Sequence, residues 1–210
     1  GPGGRPNARN PFKEEVGIRF THGVGGGVRP DMPLGTLLLL APPYGLGIAA
    51  NPVRQRHERA EWDNARPDRA TLGLCMSMAT LQIIWGGNYF GLPPSQCFLV
   101  WDKGQPQDFS LAMCEQAWTN LKKPAKLFRK SVLSYSKQHP TEKPVELMAW
   151  CIDMAGQVEV VIDPFAGAGA TGEAAKLRGK RAVLVEIEER YCEIAAKRLA
   201  QRVLPLEASA

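Results

Sequence analysis

The chain is short of the features that define several large protein classes. Its five cysteines (Cys75, Cys97, Cys114, Cys151 and Cys192) are odd in number and scattered, and no two form a C-x-x-C pair. That excludes a disulfide frame and a zinc ribbon, and fits reduced thiols in a cytosolic protein with no metal site. No apolar run reaches the roughly 20 residues that cross a bilayer, and no secretory leader pattern is present. A membrane partner and export are therefore not expected. There is no internal repeat, which argues against a solenoid or propeller. Histidine is scarce, with three residues, and His57 taken alone reads as a surface side chain.

What is present suits one soluble α/β domain. The 210 residues are 44% hydrophobic, enough for a sizeable core. A formal charge of +5 is compatible with a polyanionic partner. Residues 1–33 are rich in Gly, Pro, Arg and Asn and read as a flexible arm, with one short strand over Val16–Phe20. Gly1-Pro2 resembles the scar of a protease cleavage. Residues 34–203 then read as a single domain.

Thr36-Leu37-Leu38-Leu39-Leu40 has the continuous apolar character of a buried strand. Pro42 and Pro43 stop it, because neither can donate to a sheet ladder. Tyr44 follows as an exposed ring on a stiff turn, a platform for a flat ligand. A Pro-rich loop whose tyrosine packs into the core fits the same residues. Asn51 to Arg69 is polar and basic, with Arg54, Arg56 and Arg59 around Trp62. It suits contact with a nucleic-acid backbone, or a charged helix on a solvated face.

Further on, Leu72–Leu81 is expected as a helix, Gln82–Phe90 as a strand ending in a Gly-Gly turn, and Cys97–Asp102 as a strand. Leu111–Trp118 fits a helix or a strand. Leu127–Phe128 and Ser131–Tyr135 are weaker strand candidates. His139-Pro140-Thr141-Glu142-Lys143-Pro144 leads into a helix over Val145–Ala155, with Thr141 as a potential cap. Val158–Ile162 and Ala182–Val185 are strands separated by a helix over Glu173–Arg178, and a last helix covers Arg190–Arg202. Strand, helix and strand in this order predict a doubly wound, mostly parallel sheet.

The strongest local signal is Asp163-Pro164-Phe165-Ala166-Gly167-Ala168-Gly169-Ala170-Thr171-Gly172. Glycines between a strand and a helix let the backbone approach a ligand at the helix N-terminus. Glu186 ends the next strand, where a carboxylate can accept hydrogen bonds from ribose hydroxyls. Gly167, Gly169 and Gly172 also satisfy G-x-G-x-x-G, so a unit binding NAD competes with other nucleotide-binding readings.

Three features together resemble a family. Asp163-Pro164-Phe165 with Gly167-x-Gly169, the Pro42-Pro43-Tyr44 turn, and His139-Pro140-Thr141-Glu142-Lys143-Pro144 look like the circularly permuted beta class of DNA amino-methyltransferases, which use S-adenosylmethionine. The resemblance implies a Rossmann-like, mostly parallel seven-stranded sheet and a DNA partner, with dimers common in the class. It implies that Asp163, Phe165, Gly167, Gly169 and Thr171 line the cofactor pocket, that Glu186 binds the ribose, and that Thr141 and Lys143 flank the methionine portion. Position 41, Pro42, Pro43 and Tyr44 would form the pocket for a flipped base, with adenine favoured over cytosine. A bacterial or phage origin and a role in restriction and modification follow from the family alone.

The sequence departs from the family in two ways. The catalytic motif begins with Asp, Asn or Ser, but Ala41 has no side-chain acceptor, which implies weak or absent catalysis. Position 41 is then either an engineered replacement or the mark of a decayed relative; a non-catalytic nucleic-acid-binding protein is the corresponding alternative function. The region for target recognition is also small, about 104–138. Lys122, Lys123, Lys126 and Arg129 within it are expected to touch DNA, while a solvated basic surface explains them as well.

Overall fold

The computed structural model describes residues 18–22, 33–46, 65–106, 112–135 and 141–200. Among these, eight strands form one sheet: β1 (Ile18–His22), β2 (Thr36–Leu40), β3 (Leu81–Trp85), β4 (Phe98–Asp102), β5 (Cys114–Thr119), β6 (Lys126–Arg129), β7 (Val160–Asp163) and β8 (Arg181–Glu186). Their order is β1-β8-β7-β2-β3-β5-β4-β6. Every neighbouring pair is parallel except those of β5, which runs against both β3 and β4. Among the described residues, four α-helices accompany the sheet: α1 (Arg69–Ser77), α2 (Val145–Ala155), α3 (Ala170–Leu177) and α4 (Glu189–Ala200). The sheet is doubly wound and mostly parallel as expected, but the seven strands predicted become eight. The extra strand is β6, which adds to the free edge of β4.

β2 shows why its sequence is a run of leucines. Leu37 and Leu39 join the core cluster that includes α2 and α3 residues, while Leu38 and Leu40 join the cluster holding Leu72 and Cys75 of α1. Both faces of the strand are covered, so alternation with polar residues disappears. All four leucines are fully buried, each stabilising the fold by roughly 1.5–3 kcal/mol before entropy is counted.

The crossovers place the crevice. From β2 the chain passes through α1 to β3, on one side of β2. From β7 it passes through α3 to β8, on the other side. β2 and β7 are themselves paired, with Leu38 opposite Ile162. Their carboxyl ends therefore flank the point where the winding reverses, the usual ligand crevice of an open α/β sheet.

Several local expectations change. Residues 114–119 settle the ambiguity of Leu111–Trp118 as strand. The β3 strand stops at Trp85, earlier than expected, because Gly86 turns the chain with φ 71° into a 3-10 turn over Gly87–Tyr89. Ser131–Tyr135 is not a strand; it forms a turn closed by the Ser134 N–H donating to the Ser131 carbonyl. The N-cap position of α2 is Pro144, and no side chain caps it, so Thr141 does not act as the cap. β1, within the stretch read as an arm, pairs in parallel with β8 and forms the sheet edge.

Candidate functional site

Strand direction gathers the motif residues at one edge. The parallel strands β2, β7 and β8 end there at Leu40, Asp163 and Glu186. β5 begins there, because it runs the opposite way, so Cys114 and Glu115 lie at the same edge as Trp85 and Asp102. The Pro-Pro-Tyr turn, the Gly86 turn, Lys103, Glu115, the loop before α2 and the Gly-rich turn thus meet along one rim.

On one side stands the Gly-rich turn. Asp163 is buried; its Oδ1 accepts from the Phe165 backbone N–H at 3.0 Å, and its Oδ2 accepts from the Thr171 hydroxyl at 2.5 Å. Burial pushes its carboxyl up to about 7, against those two hydrogen bonds and with some help from the Glu186 charge. Gly169 caps α3 in the left-handed region (φ 83°), and Gly167 also has positive φ. A Cβ at Gly169 would meet Ala195 of α4 at 2.9 Å, so the glycine also admits the neighbouring helix. Glu186 accepts from the backbone N–H groups of Gly167 (2.7 Å), Ile187 (3.0 Å) and Glu188 (2.9 Å). Burial still raises its pKa above the ordinary carboxylate value. Phe165 is half-buried and packs on the α1 side of the core.

On the other side, Ala41 packs against the main core, Pro42 is buried, and Tyr44 is half-buried rather than exposed. The Tyr44 ring stacks on Tyr89 (centroids 5.0 Å apart, planes 22° apart) with Phe90 edge-on at 6.3 Å. Gly86 lies directly against the ring, and any Cβ there would clash with it. Arg66 donates to the Tyr89 carbonyl at 2.7 Å and steadies this stack. The open platform expected at Tyr44 is corrected accordingly. The β3 turn supplies a second aromatic that covers the first.

The two sides are joined by a residue the sequence did not single out. Glu115 accepts from the Tyr44 hydroxyl (3.3 Å) and pairs with Lys143 (2.9 Å) and Lys103 (2.7 Å). Lys143 Nζ also lies 5.3 Å from the centre of the Tyr44 ring, a cation–π distance. Burial alone would raise the Glu115 pKa, but Lys143 and Lys103 override it and hold the carboxyl at about 2. The neighbouring Glu142 is buried, and Thr141 is half-buried beside it.

The basic residues divide. Arg129 ends β6 at the rim and is paired with Asp102 at 2.7 Å. Lys122, Lys123 and Lys126 lie between β5 and β6 or at the start of β6, at the opposite edge of the sheet, because β5 carries the chain back from the rim. Lys123 Nζ donates to the Met154 carbonyl at the end of α2 (2.7 Å). These three are not brought together with the motif residues. Arg54, Arg56 and Arg59, with His57, Trp62 and His139-Pro140, lie outside the described residues. Among the described residues, no group of His, Cys, Asp and Glu side chains could hold a metal ion, and no helix is long and apolar enough to cross a membrane.

Comparison with known proteins agrees with this fold. The M2.DpnII type II methyltransferase of Streptococcus pneumoniae is 38% identical over 71 residues, which are 33% of this chain and 26% of that protein. M.HinfI of Haemophilus influenzae is 41% identical over 64 residues, 30% of this chain and 18% of that protein. The matched segments thus span about a quarter or less of these relatives. The crystal structure of the M1.HpyAVI–SAM complex superposes with a TM-score of 0.59 at 19% identity, covering 87% of this chain and all of that one. The cytosine-N4-specific PvuII DNA methyltransferase superposes with a TM-score of 0.56 at 12% identity, covering 92% of each chain. At such identities the two structures establish a shared fold. The model of the DNA methylase family (N6_N4_Mtase) matches residues 80–197, more than half of the chain and including the Gly-rich turn and Glu186. By its sequence and its permuted, doubly wound sheet, the chain belongs to the DNA methylase family.

Proposed function

We propose that the rim binds S-adenosylmethionine and directs methyl transfer to the exocyclic amino group of a base flipped out of DNA, adenine ahead of cytosine. The observation that carries this reading is the pairing of β2 with β7, which sets the Pro-Pro-Tyr turn beside the Gly-rich turn across the reversal of winding. The residues fit the cofactor. Ala166 to Ala170 contain no side chain larger than a methyl group, so the backbone can be approached closely. Glu186 spends its carboxylate on three N–H donors, leaving acceptor capacity of about one lone pair for a ribose hydroxyl. When bound, the cofactor supplies an electrophilic sulfonium methyl group.

The chain's own residues then have distinct tasks. Asp163 to Gly169 receive the methionine end, with Phe165 and Thr171 supporting the turn and Thr141 and Lys143 flanking it. Glu186 orients the ribose. A base within a duplex hides its amino group, so it must leave the stack. The stacked Tyr44–Tyr89 pair forms the aromatic wall against which the extruded ring packs, and the Pro42 carbonyl accepts a hydrogen bond from the amino group. Catalysis is chiefly alignment and electrostatic preorganisation. Ala41 adds no acceptor, so transfer by this chain is weak. Arg54, Arg56, Arg59 and Arg129 contribute positive charge toward the phosphates. With so small a recognition region, a second copy of the chain shares target recognition as a dimer, in the cytoplasm of a bacterium or of a phage-infected cell.

Titration calorimetry with S-adenosylmethionine and, separately, NAD tests the cofactor. Binding of the first and not the second is expected; the reverse would overturn the reading. A second reading, a nucleic-acid-binding relative without catalysis, is favoured by one observation, the alanine at position 41.

A further inference from the structure

A second charged arrangement, outside the Tyr44 cluster, centres on Arg198 of α4. Its Nη1 donates to Glu142 Oε1 at 2.6 Å and to the Ala168 carbonyl at 3.3 Å, and its Nε donates to Glu173. These partners belong to three separate segments. Glu142 lies in the loop before α2, Ala168 in the Gly-rich turn, and Glu173 in the first turns of α3. The Glu142 side chain is only 4% exposed and that of Arg198 16%, so the pair is largely removed from water. Burial lowers the guanidinium's affinity for its proton, but Glu142 and Glu173 outweigh it and raise its pKa. The same helix seats Ala195 and Leu199 against the positions of Gly169 and Gly172. Apolar packing thus holds α4 in place, and a single guanidinium ties together the two loops that frame the rim. A planar group with five donors can serve three acceptors at once, which an ammonium on a flexible stem cannot do with fixed geometry.

We propose that Arg198 is a positioning residue for cofactor binding: it sets the Thr141–Lys143 loop and the Gly-rich turn in one fixed relation, so that cofactor affinity is governed from α4. The inference rests on the S-adenosylmethionine reading above. Arg198 touches no reacting atom; it acts through Glu142 and Ala168. Losing the guanidinium takes away the positive charge that faces the buried Glu142 carboxylate, which destabilises a fold. The informative variant is therefore Arg198→Met with Glu142→Gln, which keeps the packing volume and removes both charges of the pair together.

Two measurements on the full chain test this. Hydrogen exchange followed by mass spectrometry, without cofactor, compares peptides covering 141–143, 166–169 and β7. In the double variant the first two segments are expected to exchange faster together, by at least about tenfold, while β7 stays protected. Unchanged exchange in either loop would overturn the proposal. Calorimetry with S-adenosylmethionine is expected to show at least about tenfold weaker binding, from the lost charge-assisted hydrogen bonds, with Arg198→Lys in between. Equal affinity in the double variant and the parent would overturn it as well. A parent chain that binds no S-adenosylmethionine would sink the cofactor reading by itself, and the exchange experiment would still decide the role of Arg198.

Discussion

The side chain absent at position 41 sets the first expectation. A hydrogen bond to a charged or developing charged group contributes roughly 1.5–3 kcal/mol. Restoring a carboxylate there is expected to speed transfer by about one to two orders of magnitude. A radiolabelled methyl-transfer assay comparing the chain with Ala41→Asp measures this, and equal rates would refute the account of Ala41. Two other carboxylates give opposite pH signatures. Asp163 has its pKa raised from 3.8 to about 7 in the fold, so its contribution is complete below the unfolded value and is lost as pH rises from about 4 through 7. The loss is of order 4 kcal/mol at most. Glu115 is lowered from 4.5 to about 2, so its contribution is complete above about 4.5 and is lost as pH falls toward 2, by about 3 kcal/mol. Urea denaturation across pH 3–8 is expected to show Asp163→Asn flattening the decline above pH 4. Glu115→Gln is expected to flatten the decline below pH 4.5, while leaving Lys103 and Lys143 unneutralised and the chain less stable at neutral pH. A variant that leaves its own limb unchanged would contradict the assignment of that limb. The positions of Asp163 and Glu186 at the ends of two neighbouring parallel strands are legible from the strand-to-turn pattern. Glu115 was not. It lies far from Tyr44 in sequence, and only the reversed direction of β5 brings the two together.

At the level of the element, Gly172 in α3 separates two opposing effects. Glycine inside a helix ordinarily costs about 0.5–1 kcal/mol relative to alanine. A Cβ there would, however, meet Leu184 Cδ1 of β8 at 2.5 Å and Leu199 Cδ2 of α4 at 3.1 Å. Overpacking of that kind costs typically about 1–3 kcal/mol, so the clash wins. Gly172→Ala is expected to lower the unfolding midpoint in thermal denaturation; a rise would show that α4 and β8 yield easily. The elements around this helix were readable because strand, glycines and acid follow one another locally. β2, β7, β8 and α2 carry such signals and were read nearly to their boundaries. β5 was ambiguous because Cys114-Glu115-Gln116-Ala117-Trp118-Thr119 mixes polar and apolar residues without a clear period. β6 gave only a weak signal because an edge strand buries little, and Leu127 remains 56% exposed.

For the molecule as a whole, the strand ends define two sides of the sheet, the rim and the side opposite it. Lys122 and Lys126 face away from the rim, so Lys122→Glu with Lys126→Glu is expected to leave duplex affinity and its salt dependence unchanged. Replacing Arg54, Arg56 and Arg59 together by Gln is expected to weaken binding and to flatten the slope of log affinity against log salt by up to about 0.9 per lost phosphate contact. Fluorescence anisotropy with a labelled duplex at several salt concentrations reads both variants. A reduced slope for the lysine pair would overturn the division of the surface. Composition indicated a basic protein, but which lysines share a face with the site depends on strand direction, and no local pattern encodes that.

The pairing of β2 with β7 also shapes how the protein forms. Thr36 is hydrogen-bonded across the sheet beside Val160, and Ile18 beside Ala182. The central strand therefore leaves the ribosome long before the neighbour that completes it. Until β7 is made, a strand of one threonine and four leucines has one ladder unmade and a face awaiting α2. Contacts of such sequence separation slow folding, and open apolar edges invite association in the meantime. The permuted order that brings the two halves of the candidate site together is thus expected to slow folding until residues 160–163 are in place, which stopped-flow refolding measures.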